Sequence, residues 1–181
     1  HMYRQRGANN AVSAESFAEV LRDALAGEAA ALFISGYTLL NEGCHEALTA
    51  AAASAAHTHV IAMDPASIDA MSTPGRRAVL TAARVCTYLL PNEEEACWLA
   101  GTDDPEAAAR TLRDITGATV VVKLGPQGAL LLGANGFSRV PVASSAPPVD
   151  VTGAGDSFSA AFLAACAHGL SDETALQQAV L

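Results

Sequence analysis

Basic residues are scarce in this chain. Of its 181 residues, 10 are lysine or arginine against 19 aspartate or glutamate, which sets the formal charge at −9. The only lysine is Lys123. A nucleic-acid partner is not expected, because affinity for a phosphate backbone needs clustered cations. Any phosphate held here must be gripped mainly by backbone N–H groups, a helix terminus and a metal ion. Long apolar runs are missing too. No stretch is long enough to span a bilayer and no secretory leader is read at the start, so no membrane partner and a cytoplasmic location are expected. The four cysteines, Cys44, Cys86, Cys97 and Cys166, lie far apart without paired metal-ligand spacing. They read as small buried hydrophobes in a reducing compartment. Cys44 and His45 are neighbours on a helix and face different ways, and His57 and His59 lie where a helix gives way to a strand. A zinc site is not expected from them.

Apolar residues, by contrast, make up 51% of the chain. That is enough for one core, and one domain over residues 3–181 is expected, with His1-Met2 a cloning remnant. Short apolar runs alternate with alanine-rich helical stretches. Helices are expected at 13–27, 41–56, 76–83, 92–101 and 105–117, with Ser13 and Asn41 opening the first two and glycines closing several. Strands are expected at 31–36, 59–65, 86–91 and 119–125. "GALLLGANG" and "FSRVPV", with Asn135-Gly136 between the runs, read as a β-hairpin. A helix follows "DVTGAGD" and ends at Gly169, and Ser171 caps another. Strands with continuous rather than alternating apolar residues imply an α/β fold: a mainly parallel sheet in a three-layer α/β/α arrangement. Ligands in such sheets bind beyond the carboxyl ends of the strands. Those ends carry Gly36-Tyr37, Asp64, Asn92–Glu95, Gly125–Gly128 and Asp150–Asp156.

"DVTGAGD" (150–156) opens a helix with two glycines and an alanine between two aspartates. Helix N-termini present unpaired N–H groups and about half a positive charge. Glycine lets an anion approach the backbone without a Cβ in the way. A plain helix start with an acidic first turn has the same composition. Asp156 gains a purpose if it faces an incoming hydroxyl and takes its proton as that oxygen attacks phosphorus. Phe158 stands where a dinucleotide fingerprint would need glycine, and no GxxxxGK[ST] is present. Asn92 and Glu95, three apart at a helix start, fit a capping box without any ligand. Glu93 and Glu94 read as solvated. Asp64-Pro65 reads as a turn.

"DVTGAGDSFSAAFLA" closely resembles the C-terminal signature of the ribokinase-like, or PfkB-type, carbohydrate kinases, usually written D-T-x-G-A-G-D. "LLPNEEEACWLAG" is similar to the family's N-x-x-E segment, and "VVVKLGPQGALLL" to its strand-turn-strand beside the nucleotide. "MYRQRGANN" resembles its stretch ending in G-A-N, and "FISGY" the strand end after it. The resemblance implies a kinase that uses ATP and Mg²⁺ to phosphorylate a sugar or nucleoside hydroxyl. Gly153, Ala154, Gly155 and Asp156 would form the anion hole, with Asp156 the base. Asn92 and Glu95 would organise Mg²⁺, largely through water. Asp150 and Thr152 match positions lining a monovalent-cation site, K⁺ for example. Lys123, Gly125 and Gly128 match the segment flanking the nucleotide, although Lys123 departs from the common small or hydroxyl residue. Gly36 and Tyr37 would lie beside the acceptor.

"DPASID" departs from the family's D-P-N-x-R, with Ala66 and Ile68 unable to contact phosphate. Relative to the family the chain reads as short at both ends, lacking the N-terminal strands and most of the lid, with an exposed sheet edge and apolar flank expected. A non-catalytic nucleotide-binding or interaction module of kinase ancestry is the alternative from another class, and a homodimer is a candidate assembly. A hydroxymethylpyrimidine or pyridoxal kinase is a weaker reading on the same fold.

Overall fold

The computed structural model describes residues 13–26, 31–40, 60–65, 73–143 and 150–180. In chain order it contains α1 (Ala14–Ala26), β1 (Ala31–Ser35), a 3₁₀ turn (Gly36–Leu40), β2 (Val60–Asp64), α2 (Thr73–Ala83), β3 (Tyr88–Leu89), α3 (Glu93–Ala100) and α4 (Pro105–Thr116). Then come β4 (Thr119–Lys123), a 3₁₀ turn (Gly125–Gln127), β5 (Ala129–Gly133), β6 (Gly136–Val140), α5 (Ala154–Ala167) and α6 (Asp172–Ala179). The expected helix at 41–56 and the His57–His59 junction lie outside the described residues.

One six-stranded sheet runs in the order β1-β2-β3-β4-β5-β6. β1 to β4 pair in parallel, and β4, β5 and β6 pair antiparallel. Side chains alternate between two cores. Ile61, Met63, Val120, Val122, Leu130 and Leu132 face one. Ala62, Val121, Ala129 and Leu131 face the other. Parallel crossovers share one hand, so strands added always on the same side keep their helices on one face. The first core accordingly holds Val79 and Ala82 of α2, Leu99 of α3 and Leu112 of α4. The opposite face is closed by α5 and α6, which contribute Phe162, Ala165, Ala175 and Leu176. The result is the three-layer architecture read from the sequence.

Phe162 is fully buried, and its ring meets Tyr88 edge-on at 5.0 Å between centroids. Burying such a side chain is worth about 2–3 kcal/mol, and the ring geometry adds roughly 1 kcal/mol. The Tyr88 hydroxyl donates to Asp172 Oδ1 at 2.6 Å, which fastens α6 to the sheet.

Two local expectations shift. The strand expected at 86–91 is only Tyr88–Leu89. The Thr87 hydroxyl accepts from the Ile61 N–H at 3.1 Å, where a ladder carbonyl would stand, and Pro91 has no N–H to offer. The hairpin forms, but its two turn residues are Ala134-Asn135, because Gly133 pairs directly with Gly136.

β1 is one of the two edge strands among those described, with β6 the other, and Phe33 is 41% exposed. Ala31 and Phe33 line a groove of about 470 Å³ with Ala160, Leu163, Ala164 and Ala167 of α5.

The end of β1 is set by a close approach. A Cβ on Gly36 would collide with the Pro65 carbonyl carbon and oxygen, both main-chain atoms that cannot rotate away. Gly36→Ala should therefore cost at least about 1–3 kcal/mol, read as a lower urea midpoint. An unchanged midpoint would mean that the two strand ends are not held this closely in solution.

Candidate active site

The parallel strands end at Ser35, Asp64, Leu89 and Lys123. α5 begins over the same edge: Ser159 in its second turn reaches Asp64 Oδ2 at 3.3 Å, and Lys123 Nζ lies 3.6 Å from where a Gly155 Cβ would stand. Its N-terminus therefore points at the place where ligands bind in sheets of this kind.

The segment 150–156 is built for that end. Asp150 Oδ1 accepts the Thr152 N–H at 2.8 Å, which tightens the turn and holds the Asp150 carboxyl below the usual carboxylate range. Gly153, the N-cap, sits at φ +76, a left-handed conformation that a side chain would strain. The Ala154 N–H bonds to the Val151 carbonyl at 3.1 Å, and the Ser157 N–H bonds to the Gly153 carbonyl at 2.9 Å. The amides of Gly155 and Asp156 have no partner among the described residues. Gly153, Ala154, Gly155 and Asp156 are all exposed. Asp156 also stands at one end of the groove beside β1.

Asn92 and Glu95 form the capping box that their spacing predicts. Asn92 Oδ1 accepts the Glu95 N–H at 2.8 Å, and Glu95 Oε2 accepts the Asn92 N–H at 2.9 Å. Asn92 also bridges to Lys123 through the main chain, with the Lys123 N–H bonded to the Pro91 carbonyl at 2.9 Å. Glu95 is only 5% exposed. Burial pushes its carboxyl up to about 7, helped by the Asp64 charge and opposed by the Asn92 N–H and by Lys123.

Asp64, read from the sequence as a turn residue, instead closes β2 and joins the site. It pairs with Lys123 Nζ at 2.5 Å, with the Lys123 and Asp64 side chains 13% and 16% exposed. Ser159, also unremarked in the sequence, is 1% exposed and donates to the same oxygen. No local signal identifies these partners, which lie 59 and 95 residues from Asp64.

The other expected residues lie around this centre. Gly36 packs on Pro65 and Asp64, and half-buried Tyr37 follows it in the 3₁₀ turn. Gly125 and Gly128 bracket the turn after β4, with the Gly128 N–H bonded to the Gly125 carbonyl at 3.0 Å. Cys44, His45, His57 and His59 lie outside the described residues. Among the described residues no group of three or more His, Cys, Asp or Glu could chelate a metal. Asn92 and Glu95 spend one oxygen each on the cap. What remains is the second Glu95 oxygen, a donor set that suits Mg²⁺ held chiefly through water and phosphate. Among the described residues no helix is long and apolar enough to cross a membrane.

The buried carboxyl of Glu95 predicts a pH effect. Its folded-state value lies above the ordinary 4.5, so between about 4.5 and 7 the folded chain binds more protons than the unfolded one. Stability from this group is present at low pH and falls as pH rises through that window, by at most about 3 kcal/mol. Glu95→Gln keeps the capping hydrogen bond and removes the titration. Urea midpoints of the wild type should therefore drop relative to Glu95→Gln between pH 4.5 and 7. Parallel profiles would show that the carboxyl is solvated.

Residues 2–181 match the family model described as "pfkB family carbohydrate kinase". The chain is 39% identical over 92 residues to a ribokinase of Schizosaccharomyces pombe, covering 46% of this chain and 29% of that protein. It superposes on a PfkB protein from Polaromonas sp. JS666 with TM-score 0.77 and 26% identity, covering 98% of this chain and 58% of that one. An E. coli protein provisionally assigned as ribokinase II, in complex with ATP and Mg²⁺, gives TM-score 0.75 and 28% identity, covering 93% and 54%. The chain thus spans a little over half the length of these structures. With a match running from end to end and the expected three-layer fold, the chain belongs to the pfkB family of carbohydrate kinases.

Proposed function

We propose that this chain carries the phosphoryl-transfer centre of an ATP-dependent kinase acting on a hydroxyl of a sugar or nucleoside. The observation that carries the reading is the start of α5: exposed Gly155 and Asp156, whose amides have no partner among the described residues, with the Asp156 carboxylate beside them, over the carboxyl edge of a parallel sheet. Amides fixed there stabilise negative charge without reorganising as it develops. The turn Gly153–Asp156 forms the anion hole through the amides of Gly155 and Asp156, with Gly153 shaping the turn and the Ala154 N–H engaged by the Val151 carbonyl, and Asp156 takes the proton of the attacking hydroxyl. Gly36 and Tyr37 border the acceptor.

Lys123, Gly125 and Gly128 flank the nucleotide. Glu95 would hold Mg²⁺ through water with its second oxygen, and Asn92, through the capping box, keeps Glu95 from turning away. Asp150 and Thr152 border a monovalent cation such as K⁺. When bound, Mg²⁺-ATP supplies the phosphoryl group and neutralises its charge. The ATP and Mg²⁺ complex of the E. coli relative supports this cofactor assignment.

A second reading, a nucleotide-binding or interaction module without turnover, is favoured by one observation: the apolar groove between Phe33 of β1 and α5, with Asp156 in its lining. Calorimetry with Mg²⁺-ATP, alongside ADP release on a panel of sugars and nucleosides, separates the two. Stoichiometric ADP formation on one acceptor eliminates the module, and binding without turnover on any acceptor favours it.

In the full-length protein, Asp156→Asn should lower kcat by at least about a hundredfold while Mg²⁺-ATP affinity stays within about threefold. Turnover near that of the wild type would remove Asp156 as the base.

A further inference from the structure

Lys123 stands in an electrostatically unfavourable place. Its ammonium lies against the first turn of α5, at the positive end of the helix dipole. The amides of Gly155 and Asp156, without a partner among the described residues, add donors there rather than acceptors. Asp64 supplies the counter-charge, and Asp64 is itself held by Ser159. The other partnered arginines are engaged elsewhere. Arg76 donates to the Leu99 carbonyl, Arg113 to the Ala118 carbonyl and Arg139 to Gln127, while Arg110 lies over the Phe137 ring.

We propose that Lys123 is an exchangeable counter-ion: it pairs with Asp64 while the start of α5 is empty and turns to the oxygens of a phosphoryl group when one arrives. Lys123 then contacts the substrate, and Asp64, steadied by Ser159, is the positioning residue that parks it. The inference rests on the kinase reading and deepens it by naming how this site is regulated before its anion arrives. A flexible four-carbon stem with three rotatable donors suits a group that must change partners. Two amides without a partner among the described residues and an ammonium beside Gly155 offer an anion more than either offers alone. Asp64 competes for the same ammonium, so it lowers affinity for free phosphate while keeping the cation from repelling the helix end.

The competition has a signature that a purely structural ion pair lacks. Inorganic phosphate binding is measured by calorimetry on the full-length protein and on Lys123→Met, Asp64→Asn and the double variant. Lys123→Met should weaken phosphate binding at least about tenfold, and Asp64→Asn should tighten it about tenfold by freeing the ammonium. The double variant should match Lys123→Met, because the gain needs the lysine. If Asp64→Asn weakens binding as Lys123→Met does, or if Lys123→Met changes nothing, the proposal is overturned.

Asp64→Asn leaves a nearly buried lysine unpaired and can fail to fold, so the unmodified protein is tested as well. With ¹³Cε-labelled lysine, and the resonance identified by its loss in Lys123→Met, added phosphate should displace the signal. A stationary resonance overturns the proposal. Failure of the kinase reading looks different: no sugar or nucleoside would support ADP formation while the phosphate affinities of the four proteins kept their order. Absence of phosphate binding in every protein, with Mg²⁺-ATP turnover intact, would overturn the counter-ion exchange and leave the kinase reading standing.

Discussion

A parallel sheet extended always in one direction, with one crossover hand, carries helices on one face only. Its other face must be closed by chain that comes later, and in this protein that chain is α5 and α6. α5 crosses beneath β1, β2 and β3, anchored by Phe162 against Tyr88, and it runs against the strand direction. A helix lying that way ends its dipole at the carboxyl edge. The placement of charge at the site thus follows from a need to cover apolar surface. An anion bound at that edge would meet a field that packing has already oriented.

Much of this was legible in the sequence, and the reasons differ from residue to residue. The start of α5 was readable because glycines beside an aspartate ahead of an apolar run are a local pattern. Asn92 and Glu95 were readable because a capping box is a spacing rule, satisfied within one helical turn. Asp64 was not. Its sequence neighbours suggested a turn, while the residues that give it a role stand on β4 and α5, far along the chain. A charged pair assembled by topology has no periodicity to announce it. Lys123 reads in the sequence only as a departure from the family pattern, and its neighbours, Asp64 and Asn92, are set by the fold.

Local shifts have the same origin. Strand β3 shortened because the Thr87 hydroxyl replaced a carbonyl in the ladder, an interaction invisible to hydrophobic pattern. The hairpin turn moved by one residue because the pairing of β5 with β6 fixes which residues are left over. In both cases the element was correct and its boundary was decided by a hydrogen bond.

The capping box at the head of α3 has an evolutionary consequence. Asn92 and Glu95 give their side chains to the main chain, and the same two side chains sit at the edge where the phosphates would lie. Most substitutions at either position would fray the helix before altering any reaction. Selection for folding alone thus preserves the geometry, even in a descendant that has lost catalysis. In lineages of this fold, that pair should therefore outlast the activity, and its presence marks ancestry more securely than it marks turnover.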